Sequence, residues 1–314
     1  MDELGFISGR GTFSAPMNID SPSITKFGQL VELKDFKGPT KKEYVRYVRR
    51  LSEHFQSDPA TLTEEQLRQY FLFLRQHKQF SGSAMSIAKA ALQLFFREHL
   101  GHTDWKVFGE LVIRRGQPLP LVLSRPEVQR ALGCLREERF RVCLRLIYQC
   151  GLRVGEAVKI KVTDIDAQQL RLRIVQGKGG KDRCVPLTQR ALGELRAFWK
   201  THRNQVWLFP APGSAWRERA VDPSAVMKKA TTHMSVSAVQ NAFRLARAQS
   251  GIHPQACVHT LRHCYATHLL EEGVSLRLIS QYLGHASLDV TVLYTHLTAT
   301  NEGQARAALD RLMA

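Results

Sequence analysis

Residues 259–297 read HTLRHCYATHLLEEGVSLRLISQYLGHASLDVTVLYTHL, and this stretch decides how the rest of the chain is understood. Its pattern predicts helices over 260–272, 275–283 and 287–295. His259 and Arg262, three apart where the first of these opens, can face the same way. A helix start also offers unpaired N–H groups and a positive dipole end to an anion. Leu283-Gly284-His285 closes the second helix at its glycine, and Tyr294 follows His285 by nine residues. Imidazoles, a guanidinium and a phenol gathered at successive helix ends are groups suited to holding and attacking a phosphate.

Further cations stand upstream. Arg153 follows Gly151 at the predicted end of a helix over 138–150 and precedes Gly155-Glu156, where another helix starts. Residues 170–175 and 183–187 alternate like strands around Gly-Lys-Gly-Gly-Lys-Asp, a hairpin signal that puts Lys178 at its tip. Ser124 and Glu127 form a capping pattern for a helix to about Arg136. Helices are also expected over 188–200, 236–250 and, amphipathic and terminal, 302–313, whereas 210–234 predicts no regular element. The unit is therefore mixed α+β with a small sheet, placed at 124–314.

The N-terminal part is different in kind. Residues 1–22 are rich in Gly, Ser and Pro and read as a loosely ordered arm. Residues 23–105 read as a small helical domain, with helices starting at Thr40 (Glu43 completing a capping box), after Thr63 and after Ser83, and a weaker one near Ile24–Phe36. The first strong helix puts Tyr44, Val48, Leu51 and Phe55 on one face and Lys41, Lys42, Arg46, Arg49 and Arg50 on the others. Residues 106–123, with Arg114-Arg115 and two prolines, read as an exposed basic linker. The whole is mainly α with a small β-sheet.

Charge narrows the partner. The 314 residues carry 45 Lys and Arg against 28 Asp and Glu, a net +17, and 28 of those cations fall after residue 120. Such an excess favours a polyanion, nucleic acid above all. No run of eighteen apolar residues and no basic-then-apolar leader occurs, so a cytoplasmic protein that meets no membrane is expected. The six cysteines form no CxxC pair and read as reduced core residues. His259 and His263, four apart, lack the HExxH context of a zinc site, and GxxxxGK[ST] is absent, so neither metal nor nucleotide cofactor is expected.

Gly151-Leu152-Arg153, Gly177-Lys178-Gly179, His259-x-x-Arg262, Leu283-Gly284-His285 and Tyr294, in that order, resemble the motifs of the tyrosine recombinase (phage integrase) family, and the quoted stretch resembles its Xer-type and integron-integrase-like branch. The resemblance covers about 120–314 and extends over 24–100, which looks like the family's core-binding domain. It implies a site-specific recombinase that cuts and rejoins DNA without metal or ATP, its catalytic residues being Arg153, Lys178, His259, Arg262, His285 and the nucleophile Tyr294. Arginine forks bind the phosphate's non-bridging oxygens and stay charged. A phenol with a pKa of about 10 needs a proton acceptor or a strongly cationic site. His259 is the expected base and Lys178 the expected acid, with Lys181 as its rival.

Lys41, Lys42, Arg46, Arg49, Arg50, Lys89, Arg114, Arg115 and Lys181 are the expected DNA contacts. The partners implied are double-stranded DNA bearing specific recombination sites and three further copies of the chain in a synaptic tetramer. A type IB-like topoisomerase shares the tyrosine chemistry, and a non-catalytic DNA-binding protein shares the basic helices. The latter has no reason to keep Tyr294, Lys178 and both arginines together. A metal-dependent nuclease needs clustered carboxylates, and Glu156, Asp164, Asp182 and Asp289 are scattered.

Overall fold

The computed structural model describes residues 21–113, 119–175, 182–213, 222–284, 289–292 and 294–295. The chain divides into two compact units between Gln117 and Pro118. Lys178, Lys181, His285, Arg114, Arg115, the arm to residue 20 and the terminal helix at 302–313 lie outside the described residues.

The first unit is helical: α1 (Pro22–Leu33), α2 (Gly38–Phe55), α3 (Glu64–Gln76), α4 (Gly82–Gln93) and α5 (Val107–Glu110). Phe27, Val48, Leu51, Leu67, Leu92 and Phe95 are fully enclosed in its core. Thr63 caps α3 in a reciprocal box with Gln66. The box expected at Thr40 does not form. Helix α2 begins two residues earlier, behind Lys37, because Pro39 in its first turn already has the helical φ and needs no N–H partner there. Similarly, Ser81 rather than Ser83 caps α4. Residues 107–113 pack into this unit instead of running free. Val107 and Phe108 are buried, Arg75 donates to the Val112 carbonyl (2.8 Å) and Lys89 to that of Leu111 (3.1 Å).

The second unit contains α6 (Arg125–Gly133), α7 (Glu138–Cys150), α8 (Val154–Ala157), β1 (Ile165–Asp166), β2 (Arg171–Ile174), β3 (Arg183–Pro186), α9 (Gln189–His202), α10 (Pro223–Lys229), α11 (Val236–Ser250), α12 (Val258–Glu271), α13 (Leu276–Leu283) and α14 (Asp289–Val292). The strands form an antiparallel sheet in the order β1-β2-β3, with Leu172 opposite Val185 and Ile174 opposite Arg183. Leu172, Ile174 and Val185 turn inward while Arg171 and Arg173 face out, the period-2 alternation of a one-sided sheet.

Helix α12 is the centre of this unit. Val258, Leu261, Arg262, Cys264, Ala266 and His268 are buried, while the face of His259 and His263 is open. A helix enclosed over most of its circumference needs its buried polar groups satisfied internally. His268 meets that need between the Tyr148 hydroxyl (2.8 Å) and the Leu123 carbonyl (3.0 Å). Within the segment that predicted no element, α10 is pinned by Asn204. Its amide donates to the carbonyls of Met227 (2.8 Å) and Ala230 (2.9 Å), while its oxygen accepts from the N–H groups of Val206 and Trp207. Cys143, Cys150 and Cys264 are buried and unpaired as expected, but Cys184 and Cys257 are exposed, so not every cysteine is a core residue.

Candidate active site

Two helix ends converge on Arg262. Helix α7 stops at Gly151, whose φ of +60° suits glycine, and a Cβ there would stand 2.4 Å from the Tyr265 ring. Gly284 ends α13 in the same left-handed conformation, φ +63°, against the Arg183 side chain. The carbonyls freed at such ends accept from one guanidinium: Arg262 Nη1 donates to Gly151 O (2.5 Å) and Nη2 to Leu283 O (2.6 Å). The negative ends of two helix dipoles thus help to hold a cation that is only 1% exposed. Burial, then the neighbouring Arg153 charge, pulls this guanidinium down to about 9 from its ordinary 12.5. Among the described residues, its hydrogen bonds go to carbonyls and not to a carboxylate. It is a buried charge that an arriving anion would complete.

Arg153 sits just outside α8, its backbone extended, and is fixed by Glu156. That carboxylate accepts from Arg153 N (2.9 Å) and Arg153 Nη1 (2.8 Å), and also from both terminal nitrogens of Arg183 (3.0 and 2.7 Å). Burial alone would raise the Glu156 carboxyl, but these hydrogen bonds, led by those of Arg183, hold it down to about 2. Arg183 Nε also donates to Tyr282 O (2.8 Å), so strand β3, the start of α8 and the end of α13 share one polar knot. In the sequence, Lys178 precedes β3 and His285 follows Gly284.

Tyr294 lies in a turn just after α14, rather than in a helix continuing to 295, and is only 3% exposed, packed with Tyr265, Ala266, Ile279 and Leu283. Burial raises its phenol above the ordinary value of 10, and the charges of Arg262 and Arg153 oppose that rise. Its hydroxyl is 2.9 Å from His263 Nδ1. His259, the expected base, lies one turn back on α12. There its ring meets the edge or face of His263 at 4.5 Å, and burial followed by the charges of Arg262 and Arg153 lowers its pKa. The hydrogen bond to the phenol is therefore His263's, because the second turn of α12, not the first, faces Tyr294. His263 and Glu156 were visible in the sequence, but no part in the site was expected of them or of Arg183. The i, i+4 histidine pair and the Arg-x-x-Glu spacing at a helix start were the available signals.

Of the expected DNA contacts, Lys42, Arg46 and Arg50 are exposed at successive turns of α2, whereas Lys41 and Arg49 are half-buried. Lys41 is drawn to Glu32 (3.0 Å), and Lys89 is turned to the Leu111 carbonyl. Among the described residues, no group of three or more His, Cys, Asp or Glu is arranged to hold a metal ion, and no helix is long and apolar enough to cross a membrane.

A buried phenol hydrogen-bonded to one imidazole and lying under the charges of two guanidiniums is thus set on a mainly helical unit with a small sheet. Residues 122–301 match the model described as "Phage integrase family", and residues 24–106 match "Phage integrase, N-terminal SAM-like domain". The chain belongs to the phage integrase family. It is 33% identical to an integrase/recombinase of Escherichia coli over 87% of this chain and 88% of that one. It is 28% identical to tyrosine recombinase XerA of Pyrococcus horikoshii over 91% and 93%. Its fold is shared with lambda integrase residues 75–356 solved as a dimer bound to a COC′ core site, at 17% identity and a TM-score of 0.67 over 87% of this chain and 93% of that one. A lambda integrase tetramer bound to a Holliday junction matches with a TM-score of 0.68 at 17% identity, over 87% and 76%.

Proposed function

We propose that this chain is a tyrosine-type site-specific DNA recombinase that cuts and rejoins strands through a 3′-phosphotyrosyl link to Tyr294. The observation that carries the reading is the Tyr294 hydroxyl, buried on α12 under the charges of Arg262 and Arg153. As the phenol oxygen attacks phosphorus, negative charge grows on the non-bridging oxygens. Arg153 and Arg262 bind those oxygens, with His259 and His285 as further donors, a preorganised clamp on the transition state. Lys178 protonates the departing 5′-oxygen. One phosphoester is exchanged for another, so rejoining to a different 5′-hydroxyl draws on stored bond energy and not on ATP.

The substrate is duplex DNA. The net charge of +17 and the exposed row Lys42, Arg46 and Arg50 support it, and Arg114, Arg115 and Lys181 add cations to the sequence. Four copies assemble on paired sites, as in the lambda integrase tetramer, and the protein works on DNA of the nucleoid. Sequencing the junctions formed in cells that express the protein identifies its core site. A nicked duplex carrying that site then traps the covalent intermediate. Tyr294→Phe is expected to bind this duplex with unchanged affinity and to form no adduct. An adduct that persists in Tyr294→Phe, mapped by peptide mass to another residue, overturns the assignment.

A further inference from the structure

We infer that His263 is the catalytic proton acceptor for Tyr294, taking the phenol proton directly on Nδ1 as the phosphorus bond forms. The inference rests on the recombinase reading and deepens it. The Nδ1-to-Oη separation of 2.9 Å is within hydrogen-bond reach, the geometric requirement for a general base. The two rings lie 5.8 Å apart between centroids, and Tyr294 is enclosed by the second turn of α12 and by α13, so the contact is fixed on both sides.

An acceptor must be neutral, and the surroundings of His263 keep it so. Burial, then the charges of His259 and Arg262 on its own helix, hold it down to about 4. With no proton on Nδ1, the imidazole carries its hydrogen on Nε2 and the phenol donates. Arg153, from the loop after α7, acts with Arg262 on the phenol itself, and Glu156 on α8 acts on His259 and Arg262.

The step balances. The Tyr294 Oη–P bond forms and the P–O5′ bond breaks, the phenol proton moves to His263 Nδ1, and the 5′-oxygen leaves with a proton from the cationic donor proposed above. Rejoining runs in reverse: the 5′-hydroxyl attacks phosphorus, and the departing phenolate recovers its proton from His263. His259, which feels the charge of Arg153 as well as that of Arg262, is left free to donate to a non-bridging oxygen.

The test is single-turnover adduct formation on the nicked core-site duplex, followed from neutral to alkaline pH. His263→Asn keeps an oxygen that can accept a hydrogen bond but is too weakly basic to take the proton, and His263→Gln guards against a folding defect. Both are expected to cleave roughly 10²–10⁴-fold more slowly than the unaltered protein near neutrality. The deficit is expected to shrink about tenfold per pH unit as the phenol ionises unaided, and a fluorinated, more acidic tyrosine at 294 is expected to restore the rate. A deficit that is constant with pH and indifferent to fluorination means a structural role and overturns the proposal, as does a rescue seen with His259→Asn instead.

A second readout needs no cleavage. With 3-fluorotyrosine at 294, the fluorine resonance of the DNA-free protein is expected to shift in both His263 variants. An unchanged resonance removes the contact and the proposal with it. An unaltered protein that forms no adduct while the resonance does shift would count against the recombinase reading and leave the contact standing.

Discussion

Glu43–Arg46 in the first unit and Arg153–Glu156 in the second are both Glu–Arg pairs three residues apart, with the same chemistry and opposite surroundings. Glu43 and Arg46 meet on the outside of α2, their side chains 37% and 49% exposed. Arg153 and Glu156 meet at the start of α8, where the carboxylate is 8% exposed and shared with Arg183. Water screens the first pair and lets either partner be lost cheaply. The second pair has left water and depends on its own hydrogen bonds, so losing one partner strands the others. Spacing alone cannot distinguish them. What an ion pair does for the protein is decided by what surrounds it, and only the buried one can hold a guanidinium at a fixed place for chemistry.

The largest expected effect follows from breaking the buried pair. Glu156→Ala leaves the Arg153 and Arg183 guanidiniums without their shared carboxylate and frees the Arg153 backbone N–H. Removing one partner of a buried ion pair costs about 3–5 kcal/mol, and a urea melt of the full chain is expected to lose that much. Because Arg183 also holds the end of α13, adduct formation is expected to fall with it. A loss below about 1 kcal/mol would place Glu156 with the exposed pairs and erase the contrast.

Acid sharpens the comparison by the same logic. The Glu156 carboxyl in the folded protein lies at about 2, below its ordinary 4.5, so the stability it contributes is complete above 4.5 and is lost as the pH falls from there toward 2. Linkage puts that contribution at up to about 3 kcal/mol. His263 is also depressed, from 6.5 to about 4, so its contribution is complete above 6.5 and is lost between 6.5 and 4. His54, His99, His202, His259 and His268 share that direction, burial being the leading cause for each. Denaturant melts between pH 7 and 3 are therefore expected to show stability falling first through the histidine window and then through the carboxylate window. Glu156→Gln should flatten the lower part only. A curve flat from pH 7 to 4 contradicts the lowered histidines.

The order of the motifs was legible because each sits where the chain must change direction. Gly151 and Gly284 mark helix ends, the alternation around Gly177–Gly179 marks a hairpin, and Ser124 with Glu127 marks a start that the structure builds as a reciprocal cap. The partner of the phenol was not legible. His259 and His263 carry the same side chain one turn apart, and only the packing of Tyr294 against α12 and α13 selects between them. Arg183 read as a strand residue because its carboxylate lies 27 positions earlier. Helix α10 was invisible because the amide that pins it, that of Asn204, lies outside the segment. The misplaced start of α2 was avoidable, since a proline in the first turn is itself a start signal.

The smallest expected effect belongs to the exposed pair. Glu43→Gln removes a carboxylate from α2 and frees Arg46, which keeps a second hold on the chain from its position over the Tyr47 ring, 5.7 Å from the centroid. An exposed pair of this kind is worth about 0.3–0.5 kcal/mol, so the urea midpoint is expected to move barely beyond error. Binding should respond in the opposite direction. Lys42, Arg46 and Arg50 stand exposed at successive turns, and Glu43 is the anion adjoining that row. With it neutral, Arg46 no longer exchanges a carboxylate for a phosphate on binding. Affinity for duplex DNA at low salt is expected to rise a few-fold, and the slope of log affinity against log salt to steepen by no more than about one phosphate contact. The measurement is a salt series by fluorescence anisotropy on the core-site duplex, beside a melt of the same variant. A destabilisation near 2 kcal/mol with no gain in affinity would mean that the exposed pair supports the fold as the buried one does.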